Sequence, residues 1–150
     1  MIPNSVDIHG VWKVLPPGVH AATMQEIEQR FATNEKRRTL FEGLRRAVDA
    51  LLKAGCKAIY LDGSFVTDKP EPGDFDGCWD PTGVDSSRLD PALLDFSARR
   101  KRQKEKFGGE LFPSSAKADA GSVFLEFFQT DNHTGRAKGI IKVRLGEARG

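Results

Sequence analysis

The stretch LDGSFVTDKPEPGDFDGCWD, residues 61–80, holds the residue types from which phosphate chemistry is built. Gly63-Ser64 follows the apolar run Ala58-Ile59-Tyr60-Leu61, and after nine intervening residues Asp74-Phe75-Asp76 opens a second apolar stretch. A glycine closing a strand lets the backbone approach a phosphate, because no Cβ stands in the way. The adjacent serine offers a hydroxyl and an N–H to phosphate oxygens. Two aspartates at i and i+2 of a strand point to one face, roughly 6 to 7 Å apart along the chain. Like charges so placed repel unless a cation lies between them, and hard Mg²⁺ prefers oxygen ligands shared with substrate phosphates. Two such ions about 3.5 to 4 Å apart activate an attacking oxygen and neutralise a leaving one. A third carboxylate on a neighbouring strand completes this kind of site, and Glu126, between Leu125 and Phe127, is the candidate. Lys69 lies in the intervening loop, where it either reaches a phosphate or is simply solvated. A Gly-Ser turn or an Asp-x-Asp alone is commonplace; the two together at this spacing are much more specific.

Around this segment the sequence predicts alternating elements. Residues 1–20 read as an extended arm, since Leu15-Pro16-Pro17-Gly18 cannot be helix interior. Thr23 and Glu26 have capping-box spacing, which starts a short helix running to about Phe31. Asn34 caps the next helix, where Leu40, Phe41, Leu44, Val48, Leu51 and Leu52 form one stripe. Arg37, Arg38, Glu42, Arg45, Arg46, Asp49 and Lys53 cover the remainder of that helix, and Gly55 ends it. Cys56–Leu61 and Phe75–Trp79 read as strands. Asp90-Pro91 has the cap-then-proline signature of a helix, expected to continue through Ala92–Phe107 as far as Gly108-Gly109. Val123–Phe128 reads as a third strand, and the alternation of Ile141, Val143 and Leu145 with Lys142 and Arg144 as a fourth. The expected architecture is one α/β or α+β domain over 1–150, with a small mixed sheet flanked by helices.

Gly63-Ser64 followed by Asp74-Phe75-Asp76 resembles the signature of the polymerase-β-like nucleotidyltransferase superfamily, particularly its minimal bacterial members. The stretches LPPGVHAATMQEIEQRF, LDGSFVTDKPEPGDFD and FFQTDNHTGRAKGIIKV extend the likeness, to a small bacterial family of about this length, over about residues 15–145. The resemblance implies a nucleotidyltransferase-like sheet, Gly63 and Ser64 as triphosphate binders, and Asp74 and Asp76 as ligands of two Mg²⁺ ions. Glu126 follows as the third acid, the least regular part of the motif. It further implies an NTP donor, with ATP expected, and transfer of a nucleoside monophosphate to a hydroxyl with release of pyrophosphate. Minimal members often belong to toxin–antitoxin pairs, some modifying a partner protein or tRNA, which is analogy rather than derivation. Two features depart from the pattern: Gly77-Cys78-Trp79-Asp80 replaces a clean aliphatic run, and the loop from Phe65 to Gly73 is rich in proline. An inactive interaction protein of the same fold, an antitoxin or nucleotide sensor, is therefore the alternative.

Composition narrows the setting. The 150 residues are 39% hydrophobic and 29% charged, which suits one globular core rather than a disordered chain. No apolar run approaches the roughly 18 residues of a membrane helix, and the N-terminus lacks a secretory pattern. Cys56 and Cys78 lie in apolar runs and read as buried free thiols of a cytoplasmic protein. The net charge of +2 argues against a nucleic-acid coat, although Arg99–Lys106 carries six cations in eight positions; no sequence-reading module accompanies that string, so DNA sequence recognition is not expected. That string is either a solvated helix face or a surface for RNA phosphates or an acidic partner. His9, His20 and His133 have no i, i+4 pair and no cysteine partner, which argues against zinc; His133 falls in the turn between the last two strands. Lys138 opens the final strand, where it either protects an edge or contacts nucleotide. Phe124, Phe127 and Phe128 read as core at period two, with one of them, or Trp79, available for base stacking.

Overall fold

A computed structural model describes residues 1–146 of the chain. Its elements are β1 (Gly18–Ala21), α1 (Met24–Phe31), α2 (Glu35–Lys53), β2 (Ala58–Asp62), β3 (Phe75–Trp79), α3 (Ser97–Phe107), β4 (Gly109–Pro113), α4 (Phe124–Phe127) and β5 (Gly139–Arg144). Three short 3₁₀ turns, Ser64–Val66, Ser86–Arg88 and Pro91–Leu94, lie in the connections. The strands form one mixed sheet in the order β1-β5-β2-β3-β4, so the α/β (α+β) class holds. β2 runs antiparallel to both β3 and β5, while β1–β5 and β3–β4 are parallel pairs.

The first two helices form for the reasons their sequences give. Thr23 closes a complete capping box with Glu26 at the start of α1, and the Asn34 side chain accepts from the Arg37 N–H at the start of α2. Both satisfy backbone donors that a helix N-terminus leaves free. The α2 stripe then buries Leu40, Phe41, Leu44, Val48 and Leu51 against Ile59, Leu61, Phe75, Leu111, Ile141 and Val143 from one face of the sheet. Truncating a fully buried member such as Leu44 to Ala costs about 2 to 5 kcal/mol. The opposite face carries the alternate residues. Its apolar part, Cys78 and Ile140 with Tyr60 and Phe112, is covered by Phe124, Leu125, Phe127 and Phe128. Phe112 and Phe124 stack with ring centroids 4.1 Å apart. Both cysteines are buried and free.

The extended arm runs into a strand, because Gly18–Ala21 pairs in parallel with β5. Three expectations are corrected. Residues 109–113, expected as loop, form the edge strand β4. Residues 124–127, expected as strand, form a single helical turn, in which the Phe124 ring lies flat over Phe112. The helix predicted over 92–107 is broken: a 3₁₀ turn ends at Leu94, and Ala98, Arg99 and Arg100 have left-handed backbone, with φ of 49°, 57° and 59°, before regular helix resumes. The departure of Gly77 from an aliphatic run also has a physical reason. A Cβ there would lie 2.3 Å from the Tyr60 carbonyl oxygen, so the approach of β2 to β3 requires glycine.

Candidate metal and nucleotide site

The polar end of the open sheet face is built from strand register. Asp62 of β2 pairs with Asp76 of β3, and Asp76 pairs in turn with Glu110 of β4. Directly paired residues share a face, so three carboxylates form a row across three strands. Asp74, two residues before Asp76, joins them. Carboxylate oxygens of Asp74, Asp76 and Glu110 all lie within 4.8 Å of one another.

The two ends of the row are neutralised and the middle is not. The Lys138 ammonium forms a buried ion pair with Asp62. Glu110 accepts from Arg100 at 2.9 Å and from Lys104 at 3.0 Å. Among the described residues, no side-chain cation is within ion-pair distance of Asp74 or Asp76. The titration behaviour follows. Burial, then the charges of Asp74, Glu110 and Asp62, push the Asp76 carboxyl up to about 8. Burial and the nearby Glu110 also raise Asp74. Burial acts upward on Glu110 too, but the hydrogen bonds from Lys104 and Arg100 outweigh it and hold this acid below its ordinary range. Asp62 is raised by burial, with Lys138 working against the rise. An oxygen-only set, half-buried and short of positive charge, fits a hard divalent cation such as Mg²⁺.

Gly63 joins this cluster to the cradle. Its φ is +83°, and a Cβ at this position would lie 2.5 Å from Asp76 Oδ2, so the backbone passes against the carboxylate only because no side chain intervenes. Ser64 then begins the 3₁₀ turn. The loop beyond it is held from beneath by Arg37, a buried residue of α2. The Arg37 guanidinium donates to the carbonyls of Phe31, Phe65, Thr67 and Lys69. Arg37, placed by the sequence among the polar residues outside the α2 stripe, is thus buried and is the post on which the cradle stands.

A cavity of about 340 Å³ opens beside this arrangement. Gly63, Ser64, Lys69 and Asp76 all line it, together with Lys138 and His133. Of the sequence-predicted residues, Gly63, Ser64, Lys69 and Asp76 therefore share this cavity, and Asp74 joins them through the carboxylate cluster it forms with Asp76. Glu126 does neither. It is exposed on α4, outside the cluster, and Glu110 stands where a third carboxylate was sought. Glu110, Asp62 and Arg37 are the residues that sequence reasoning missed. The only signal for Glu110 was an acid directly after the Gly108-Gly109 pair.

Lys138 has no edge to protect, because β5 lies between β1 and β2. His133 lies in the turn between α4 and β5, where Asp131 accepts from the Thr134 N–H and hydroxyl. Trp79 is buried and unavailable for stacking. The basic string 99–106 is largely engaged within the chain. Besides Arg100 and Lys104 on Glu110, Lys106 pairs with Asp90, Arg102 with Asp95 and Lys101 with Glu105.

No helix of the described residues is long and apolar enough to cross a membrane. No curated protein and no solved structure matches the chain. Residues 10–144 match the family of unknown function DUF6932, and the chain belongs to that family.

Proposed function

We propose that the protein is a Mg²⁺-dependent nucleotidyltransferase that moves a nucleoside monophosphate from an NTP, with ATP the expected donor, to a hydroxyl of a protein or RNA acceptor. The observation that carries this reading is the convergence of Asp74, Asp76 and Glu110 within 4.8 Å, beside a Gly63 backbone that tolerates no side chain. Asp74, Asp76 and Glu110 would hold the metal, which when bound supplies positive charge to the phosphates and to the attacking oxygen. Gly63 and Ser64 present backbone N–H groups and a hydroxyl to the terminal phosphates, and Lys69 adds a charge from the same cavity wall. The acceptor oxygen forms a bond to the α-phosphorus while the bond from that phosphorus to the bridging oxygen breaks. Pyrophosphate leaves with the electron pair, and the acceptor proton passes to a carboxylate oxygen of the cluster. Catalysis of this kind rests on positioning and charge rather than on covalent chemistry with the protein.

A second reading is favoured by one observation. Arg100 and Lys104 already occupy Glu110, as they would in an inactive relative kept for interaction, such as an antitoxin or nucleotide sensor. Transfer of label from α-labelled NTPs with Mg²⁺ to tRNA, total protein or the protein itself separates the two. Nucleotidyl transfer requires label with wild type and with Glu126→Gln, and none with Asp76→Asn or Glu110→Gln. An absence of label from wild type with every acceptor would leave the interaction protein.

A further inference from the structure

Beyond the phosphate cradle, the cavity has a second end that the reaction has not used. Val11 and Trp12, from the N-terminal arm, line it together with Phe127 and His133. The arm is fixed rather than draped. Val6 and Val14 exchange backbone hydrogen bonds of 2.7 and 3.0 Å, which folds residues 6–14 back on themselves. Next to Trp12, the Lys13 N–H donates to Asp68 at 2.8 Å and the Lys13 carbonyl accepts from the Asp68 N–H at 3.3 Å, so the arm is tied to the cradle loop. On its other side Gly10 packs against the turn at 131–134, where a Cβ would meet Thr134 at 3.4 Å. The arm thus spans from the cradle to that turn and walls the cavity between them.

Trp12 is 38% exposed, although it lines a concave surface, and no other ring stacks on it among the described residues. A large amphipathic ring left open inside a cavity, next to groups suited to phosphate, matches a ligand with a charged tail and a flat aromatic head. We infer that Trp12 forms the nucleobase subsite: the base of the donor NTP stacks on the indole while its phosphates reach Gly63 and Ser64. This rests on the nucleotide reading above and adds to it that the arm selects a nucleotide over a bare polyphosphate.

The test is calorimetric binding with Mg²⁺, comparing ATP with inorganic tripolyphosphate. Wild type should bind ATP at least about tenfold more tightly than tripolyphosphate, the scale of one base stacked on an aromatic ring. Trp12→Ala should bring ATP down to the level of tripolyphosphate while leaving tripolyphosphate itself unchanged, a combination that a misfolded variant cannot give. Trp12→Phe, which keeps a stacking face, should retain most of the preference. Quenching of tryptophan fluorescence by ATP should vanish in Trp12→Phe, because Trp79 is buried. Equal ATP affinity in wild type and Trp12→Ala would overturn the subsite and leave the nucleotidyltransferase standing. Failure of wild type to bind either ligand would overturn the nucleotide reading itself.

Discussion

Asp76 lies between two acids whose charges are met, and its own is not. A carboxyl held at about 8 stays protonated in the folded, metal-free protein at pH values where the unfolded chain has released that proton. The folded state then binds more protons than the unfolded one, so this group's contribution to stability is complete below about pH 4 and is lost as pH rises through 8. Melting of the metal-free protein should therefore fall across that window, and Asp76→Asn should flatten the decline and raise the midpoint at neutral pH. A wild-type profile with no fall between pH 5 and 8 would contradict the crowding of acids around Asp76. Metal reverses the effect, because a ligand that binds only the folded state stabilises it and needs the carboxylates deprotonated. Millimolar Mg²⁺ should raise the melting temperature of wild type and Glu126→Gln by several degrees, more at pH 8 than at pH 6. The rise should disappear in Glu110→Gln, and its persistence there would remove Glu110 from the ligand set.

At the scale of elements, the position of α2 decides whether the cradle is ordered. Arg37 is buried and reaches four carbonyls, three of them in the segment 65–69. Arg37→Met leaves these acceptors without their donor and should cost about 3 kcal/mol, with hydrogen exchange of 64–69 accelerated more than that of α2. Arg37→Lys should recover only part, since an ammonium has three donors and no planar fork. The left-handed turn at the head of α3 makes a separate prediction. Non-glycine residues in this region cost roughly 1 to 2 kcal/mol each, so Ala98→Gly should stabilise by up to about 1 kcal/mol in thermal melts. These elements also mark how far the sequence could be read. Thr23 and Asn34 announced α1 and α2 because capping is local chemistry, and Phe75–Trp79 was legible from its apolar run. β4 was hidden because GELFP has too little alternation to signal a strand; its pairing with β3 makes it one. Phe124–Phe127 misled for the converse reason, since a run with strong strand propensity turns helical, with Phe124 stacked on Phe112. The candidate site followed suit: the two aspartates and the Gly-Ser were readable, whereas Glu110, Asp62 and Lys138 depend on register between strands distant in sequence.

For the whole molecule, the governing fact is that β5 lies inside the sheet. β1 pairs with β5 alone, and β2 has β5 on one side, so the sheet is divided until residues 139–144 are in place. Ile140, Ile141 and Val143 are buried there and serve both faces. A chain ending at Arg136 should therefore lack cooperative unfolding by circular dichroism, rather than form a smaller domain. A sharp melt from that fragment would show that β2, β3 and β4 suffice. The same arrangement ties the order of synthesis to the chemistry. Lys138, which balances Asp62, is made 76 residues after it, roughly 4 to 15 s later at about 5 to 20 residues per second. Once Glu110 has been made, 28 residues before Lys138, the nascent chain carries the complete acidic row beside an open β2 edge, and the last strand with the lysine that precedes it supplies, in one movement, the missing hydrogen-bond partner and the missing positive charge.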